Sequence, residues 1–267
     1  MLYITIMVVA LSATAVLYML MPACGVCGEK FCFGNHEAEQ FYPIGNDSPQ
    51  TVRPNQPKTN QTTTRLTETE RAGADYLQSL YFIGDSRTNA LRLYDIPADH
   101  IFAEDGLNHE RALTERVVEL EGQTLVSIPD AVKVALPEIM IVNFGINGIS
   151  WWTEDEFIRL YGELVDALLE SSPESILVIE AVMPVAYYYE QKPAADGGVT
   201  NEEIDEINRR LYQLAQEKGC YYLATNEVMK NAENDLKDEF TADGLHFTKA
   251  AYATILDYIE THAIIKQ

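Results

Sequence analysis

Short apolar runs alternate with amphipathic segments along the chain from residue 72 onward. Runs rich in β-branched and aromatic residues predict strands at 80–84, 100–103, 139–144, 175–182 and 220–223. Apolar residues at helical spacing predict helices at 88–93, 108–120, 154–170 and 201–218 and a last helix around 252–259. Strands that alternate with helices are typical of an α/β domain with a mostly parallel sheet, which we place at 72–267.

A continuous apolar stretch precedes this domain. Residues 2–23 contain no charged side chain and consist mainly of Leu, Val, Ile, Met and Ala, which meets the requirement of roughly 20 residues for a bilayer-spanning helix. A cleavable signal normally has a basic n-region and a shorter apolar core, and neither occurs here. We therefore predict an uncleaved anchor over 1–23 with the domain outside the cytoplasm. Cleavage, which would give a secreted protein, and lipidation of Cys24 are the alternatives.

Cysteines cluster directly after the predicted anchor. Cys24, Cys27, Cys32 and His36 are all residue types that bind zinc, and their spacing allows a tetrahedral site. The other interpretation is a set of juxtamembrane cysteines that are lipidated, oxidised or simply tolerated. We favour the second and predict no metal, because the segment lacks the apolar residues that a zinc module needs to pack.

The segment before the domain has the composition of a linker. Residues 40–70 are rich in Asn, Gln, Thr and Pro and contain few large apolar residues. Such a segment cannot bury enough apolar surface to offset the entropy of ordering its chain. We therefore predict that 24–71 form a cysteine-containing juxtamembrane segment followed by a disordered linker.

The charge of the chain limits its partners. The net charge is −22, and residues 1–71 hold five Lys or Arg against six Asp or Glu, so nearly all of it belongs to the predicted domain. A field of this sign repels phosphate backbones and anionic lipid surfaces. We expect no nucleic-acid partner, contact with a membrane only through the N-terminal segment, and a substrate that is neutral or cationic.

A serine stands where the first predicted strand ends and a helical pattern begins. Ligands bind outside the carboxyl ends of the strands in an open parallel sheet, so Ser86 lies where a substrate is expected. A nucleophilic serine needs a base to take its proton and a carboxylate to orient that base. Asp243 and His246, three residues apart before the last helix, supply both groups. The three residues predict a serine hydrolase site.

Two other strand ends carry possible hydrogen-bond donors. Gly106 follows the second predicted strand and Asn147 follows the third. Acyl transfer builds negative charge on the carbonyl oxygen, which backbone and amide N–H groups stabilise. A glycine amide and an asparagine side chain at the same sheet edge meet that need.

These residues occur in four blocks that resemble the SGNH hydrolase (GDSL esterase and lipase) superfamily over about residues 78–262. In chain order the blocks are Gly84-Asp85-Ser86, Gly106, Gly145-Ile146-Asn147 and Asp243-Gly244-Leu245-His246. The resemblance implies a three-layer, flavodoxin-like fold with a mostly parallel five-stranded sheet. It implies Ser86 as nucleophile, His246 as general base and acid, and Asp243 as the residue that orients His246. It also implies an oxyanion hole formed by the Ser86 amide, the Gly106 amide and the Asn147 side chain, and ester hydrolysis without a metal ion or other cofactor.

The sequence departs from the family pattern near the substrate. Arg87 stands where a leucine is usual, and Gly148 stands where an aspartate commonly follows the third block. Arg87 either orients an acyl or anionic group or pairs with a nearby carboxylate. Trp151 and Tyr187, each within an aromatic pair or triplet, are expected at the active-site edge. They either stack on a sugar or line an acyl pocket, or they cover part of the core.

These predictions define an exported serine esterase. We expect it to remove a short acyl group, such as acetyl, from a carbohydrate or another small molecule through an acyl-Ser86 intermediate. One alternative is an O-acyltransferase that uses the same three residues and admits a sugar hydroxyl instead of water. The other is an inactive surface binding protein, against which the complete set of candidate catalytic residues counts.

Overall fold

The computed structural model describes residues 53–54, 56–120, 122 and 124–267. The predicted anchor, the cysteine cluster and the first part of the predicted linker lie outside these residues. Within the described part of the chain, no helix is both long and apolar enough to cross a bilayer.

The fold is built on a parallel sheet. The strands in chain order are β1 (Tyr81–Gly84), β2 (Ile101–Ala103), β3 (Val118–Leu120), β4 (Thr124–Val126), β5 (Ile139–Asn143), β6 (Ile176–Glu180) and β7 (Tyr221–Leu223). Five of them form an all-parallel sheet in the order β2-β1-β5-β6-β7, and β3 and β4 pair as a separate antiparallel hairpin. The predicted parallel sheet is confirmed. Since β1 has its chain neighbour β2 on one side and β5 on the other, the order of connections reverses there, where α/β sheets bind ligands.

Helices cover both faces of the sheet. They are α1 (Ala74–Ser79), α2 (Ser86–Asn89), α3 (Ile128–Ala135), α4 (Glu154–Ser171), α5 (Tyr187–Glu190), α6 (Asn201–Lys218), α7 (Asn226–Met229) and α8 (Lys249–Thr261). Short 3₁₀ turns occur at Ala90–Leu93, Ala98–His100, Arg111–Leu113, Ala194–Asp196 and Asp238–Phe240. Helix α6 has the predicted bounds because residues that begin and end helices stand at its two ends. Thr200 and Glu203 form a capping box, and Gly219 ends the helix at φ +63°.

The predicted helix at 108–120 does not form. The structure has only the 3₁₀ turn Arg111–Leu113 in its first half, and strand β3 in its second half. Val118 is buried, Glu119 is exposed, and Val118 pairs with Val126 of β4. Burial therefore switches from one residue to the next, as in a strand, and pairing with a segment further along the chain outweighs the helical spacing.

The core has two parts because successive strand residues point to opposite faces. Ile83 and Met140 pack with α3, α4 and α6, whereas their chain neighbours Phe82 and Ile141 pack with α1 and α8. This arrangement gives three layers, with the sheet between two layers of helices, and it confirms the predicted fold class.

Residues 56–71, which the sequence places in the linker, lie along the domain. The Leu66 N–H donates to the Tyr222 carbonyl at 2.9 Å, and the Tyr222 N–H donates to the Thr64 carbonyl at 2.8 Å. These bonds pair the segment with the free edge of β7. Thr59 forms an antiparallel bridge with Lys266, so the segment also holds the C-terminal residues. Main-chain pairing of this kind needs little apolar bulk, and a composition typical of a linker does not reveal it.

Arg53, which precedes this segment, contacts the domain at the amino edge of the sheet. Ser86 lies at the opposite edge. The Arg53 guanidinium donates to the Ser175 carbonyl at 2.8 Å and to the Gly219 carbonyl at 3.4 Å. Ser175 directly precedes β6 and Gly219 lies shortly before β7, so both carbonyls belong to the amino end of the sheet.

Candidate active site

The site begins at the sharp turn between β1 and α2. Asp85 caps α2, since its Oδ1 accepts the Arg87 N–H at 3.0 Å. A Cβ on Gly84 would lie 2.5 Å from the Asn143 carbonyl oxygen, so only glycine lets the chain turn this close to β5. The turn leaves Ser86 partly exposed at the carboxyl edge of the sheet.

The structure brings Ser86, His246 and Asp243 together in one chain of hydrogen bonds. Ser86 Oγ lies 3.2 Å from His246 Nε2, and His246 Nδ1 lies 2.7 Å from Asp243 Oδ2. A neutral imidazole that donates from Nδ1 to the carboxylate leaves Nε2 to accept the serine proton. The geometry therefore suits activation of Ser86 as a nucleophile.

The loop that carries Asp243 and His246 is held by its own hydrogen bonds. Asp243 Oδ1 accepts the backbone N–H of Leu245 at 2.9 Å and that of His246 at 2.7 Å. Gly244 has φ +86°, and its N–H donates to Thr241 Oγ1 at 2.9 Å. Partial burial acts to raise the pKa of Asp243, but the bonds from the His246 ring and from the two N–H groups outweigh it and hold this pKa well below its usual value. Asp243 therefore remains ionised beside His246.

The two expected oxyanion donors lie on one groove. Gly106 and Asn147 line it together with Leu245, which precedes His246 in the chain. Asn147 Nδ2 donates to the Leu107 carbonyl at 3.1 Å and to Asp85 Oδ2 at 3.3 Å. Both amide hydrogens thus have protein acceptors, and donation to an oxyanion requires the longer bond to Asp85 to be exchanged.

Asp85 has a second contact that the sequence did not predict. Its carboxylate is buried and joins the turn that carries Ser86 to the side chain of Asn147. Burial raises the pKa of Asp85 to about 6, against the opposing effect of the nearby Arg87 charge. Only the spatial closeness of the strand ends creates this contact, so no local sequence signal could have shown it.

The groove beside the site has a volume of about 530 Å³ and mixes aromatic with polar side chains. Its lining includes Trp151, Trp152, Tyr189, Asn108, Glu110, Arg111 and Ser150. Trp151 is 77% exposed on its wall, whereas Tyr187 is exposed but lies outside the lining. Tyr189, two residues further along α5, lines the groove instead.

The structure places Arg87 beneath the site rather than in the groove. Arg87 is 4% exposed, and its guanidinium donates to the carbonyls of Leu245 at 3.1 Å, Met183 at 2.9 Å and Pro184 at 3.2 Å. It also stacks over the Phe247 ring at 4.6 Å. Its hydrogen bonds go to backbone carbonyls and not to a substrate group or a carboxylate, although its charge acts on the nearby Asp85 carboxylate, as one of the expected alternatives has it. Arg87 joins the loop after β6 to the loop of His246.

Comparison with known proteins identifies the family. Residues 82–254 match the model of the GDSL-like Lipase/Acylhydrolase family. The match spans more than half of the chain, so the chain belongs to this family and is a carboxylic ester hydrolase. No curated protein sequence matches the chain.

Solved structures are similar to this chain at low sequence identity. A candidate platelet activating factor from Streptococcus pneumonia is similar, with 19% identity, a TM-score of 0.53, and coverage of 67% of this chain and 81% of that one. A GDSL-like lipase from Bacteroides thetaiotaomicron has 16% identity, a TM-score of 0.49, and coverage of 69% and 86%. A variant of the acetyl-xylooligosaccharide esterase Axe2 from Geobacillus Stearmophilus has 17% identity, a TM-score of 0.45, and coverage of 67% and 90%.

A buried carboxyl group lies at the same edge of the sheet. Glu180, at the end of β6, accepts hydrogen bonds from Asn143 Nδ2 at 3.1 Å and Thr225 Oγ1 at 2.8 Å. Burial raises the pKa of Glu180 to about 7, although both hydrogen bonds act to lower it. At pH values between the usual glutamate pKa and about 7, Glu180 is ionised in the unfolded chain and protonated in the folded protein. Folding therefore takes up a proton at this residue.

We predict that Glu180→Gln removes part of the pH dependence of folding stability. A carboxyl group with a raised pKa in the folded state stabilises the protein at low pH and loses that contribution as the pH rises through about 7. The quantity to follow is the difference in free energy of unfolding, wild type minus Glu180→Gln. As the pH rises from roughly 5 to 7, this difference should fall by at most about 1.4 kcal/mol per pH unit. Urea unfolding across this range measures the difference. The exposed Glu217→Gln is the control, and parallel curves for wild type and Glu180→Gln would contradict the prediction.

Proposed function

We propose that the protein is a serine esterase that removes short acyl groups through an acyl-Ser86 intermediate. The observation that carries the proposal is the chain of hydrogen bonds from Ser86 Oγ through His246 to Asp243, at 3.2 and 2.7 Å. The groove beside this chain provides room for a substrate.

Each of the three hydrogen-bonded residues has its own chemical role. His246 Nε2 accepts the proton of Ser86 Oγ as the oxygen attacks the ester carbonyl carbon, and Asp243 stabilises the imidazolium that forms. The tetrahedral intermediate collapses, the ester C–O bond breaks, and His246 gives its proton to the departing alcohol. Water then loses a proton to His246 as it attacks the acyl carbonyl carbon. The second tetrahedral intermediate collapses, the bond between the acyl carbon and Ser86 Oγ breaks, and His246 returns the proton to Ser86 Oγ as the acid leaves.

Negative charge on the carbonyl oxygen requires donors in the same place. We assign this role to the N–H groups of Ser86 and Gly106 and to the Asn147 side chain, all at the carboxyl edge of the sheet. Loss of one such donor typically costs about a hundredfold to a thousandfold in rate. The bond to Asp85 keeps the Asn147 amide at this edge, and one amide hydrogen moves from Asp85 to the oxyanion when the intermediate forms.

Ser86→Ala should abolish ester hydrolysis, because it removes the nucleophile. Asp243→Asn should lower kcat by at least about a thousandfold, because it removes the charge that stabilises the His246 imidazolium and the acceptor that keeps the proton of neutral His246 on Nδ1. Turnover of a chromogenic acetate ester by the full-length chain measures both effects. Ser79→Ala, an exposed serine outside the site, is the matched control and should keep full activity. Unchanged turnover in Ser86→Ala would refute the proposed nucleophile.

The lining of the groove supports a carbohydrate as the alcohol part of the substrate. The exposed face of Trp151 can stack on a sugar ring, and Asn108 and Ser150 stand near it as hydrogen-bonding groups. Polar and charged side chains on the same walls favour a short acyl group over a long apolar chain. The negative charge of the chain disfavours an anionic substrate.

Trp151→Ala should raise KM for an acetylated oligosaccharide by about tenfold, since stacking of this kind contributes about 1 kcal/mol or slightly more. The KM for a small chromogenic acetate ester should change little, because that substrate has no sugar ring to stack on the indole. Tyr187→Ala is the control, as Tyr187 is exposed but lies outside the groove. Equal effects on both esters would argue against a sugar subsite.

Product analysis with an added glycan acceptor separates hydrolysis, which releases free acid, from acyl transfer, which yields an acylated acceptor.

We further propose that residues 1–23 anchor the enzyme in a membrane with the domain on the extracytoplasmic side. The support for this proposal is the run of residues 2–23, which has no charged side chain and is long enough to span a bilayer.

The full-length chain should sediment with membranes, resist alkaline extraction and dissolve in detergent, because an apolar segment of this length inserts stably. External protease should digest the domain in intact spheroplasts. A soluble product that lacks residues 1–23 would instead indicate a cleaved signal.

A further inference from the structure

Arg111 contacts the loop that carries Gly106. Its Nη1 donates to the Gly106 carbonyl at 3.1 Å, and its Nε and Nη2 bind the two carboxylate oxygens of Glu115 at 2.5 and 2.7 Å. The Arg111 N–H donates to Asn108 Oδ1 at 2.9 Å, which fixes the start of the 3₁₀ turn. The guanidinium is therefore oriented by a bidentate ion pair and directed at one peptide group.

The Gly106 loop needs such support because Gly106 has no side chain that could restrain its backbone conformation. Gly106 has φ +72°, and a Cβ placed on it would meet no atom within 4 Å. The turn is closed by the Leu107 N–H, which donates to the Glu104 carbonyl at 3.2 Å. A glycine without packing contacts has many accessible backbone conformations, so its N–H keeps one direction only if neighbouring groups restrain the peptide.

Side chains from two other elements restrain the flanking residues. Asn89 of α2 donates from Nδ2 to Asp105 Oδ1 at 2.9 Å, and Asn147 donates to the Leu107 carbonyl at 3.1 Å. These bonds hold the residues on either side of Gly106. The Arg111 bond holds the Gly106–Leu107 peptide, which adjoins the peptide that carries the Gly106 N–H. The loop is thereby fixed relative to both Ser86 and Asn147.

We propose that Arg111 is a positioning residue that fixes the Gly106–Leu107 peptide and thereby orients the adjacent Gly106 N–H as an oxyanion donor, with Glu115 orienting the guanidinium. This inference rests on the proposed esterase function. Arg111 also lines the groove, so the alternative role is direct contact with the substrate. The two roles differ in kinetics, because a misplaced oxyanion donor lowers kcat, whereas a lost substrate contact raises KM.

The test compares Arg111→Gln, Arg111→Lys and Glu115→Gln in the full-length chain with a chromogenic acetate ester. For Arg111→Gln we expect kcat to fall about tenfold with KM within about twofold, a smaller loss than complete removal of a donor. Arg111→Lys should also have a kcat below that of the wild type, since an ammonium group cannot bind Glu115 bidentately and also reach the carbonyl. Glu115→Gln should lower kcat by about threefold. The Arg111 side chain is 48% exposed, so thermal stability should change little.

Arg159→Gln is the matched control, because Arg159 is a similarly exposed arginine that pairs with carboxylates on α4, and its kcat should equal that of the wild type. Unchanged kcat in Arg111→Gln, or a raised KM at constant kcat, would overturn the positioning role. If Arg111→Gln does not fold, the kcat values of Arg111→Lys and Glu115→Gln decide. Ser86→Ala, measured alongside, reports on the proposed function separately: activity that survives it refutes the esterase site, whatever Arg111 does.

Discussion

Parallel hydrogen bonding of β1 to β2 on one side and to β5 on the other is the constraint on which the site depends. In this register the last residues of the three strands stand opposite one another, so the chain leaves all three at the same edge of the sheet. Ser86, Gly106 and Asn147 follow these strand ends within a few residues. The nucleophile and both expected donors are thus neighbours because of main-chain pairing, before any side chain makes a specific contact.

Buried polar groups beneath this edge then fix the loops in place. The charge of Arg87 is buried, which is costly unless its donors are paired, and three backbone carbonyls pair them. Asp85 plays a corresponding part between the Ser86 turn and Asn147. Ser86 and His246 can therefore be open to substrate while the chain below them is held rigidly, which is what a preorganised site requires.

Local patterns predict much of this structure and fail where distant segments compete. The five strands of the parallel sheet and the helix Asn201–Lys218 are predictable because turns and caps bound each of them. The segment 108–120 is a strand in its second half because β4 offers it a partner, and residues 56–71 lie along β7 because an unpaired strand edge binds main chain of almost any composition. In both cases the deciding partner is far away in the sequence or carries no side-chain signal.

By itself, the sequence determined the α/β class, the strand that presents Ser86, and the pairing of Asp243 with His246, because each depends on short-range spacing and residue type. Only the tertiary structure decided that Arg87 is buried under the site, that Tyr189 rather than Tyr187 lines the groove, and that Arg111 reaches the Gly106 carbonyl. The reason is physical. A side chain's chemistry is visible in the sequence, but its burial and its partners depend on which loops the sheet brings together.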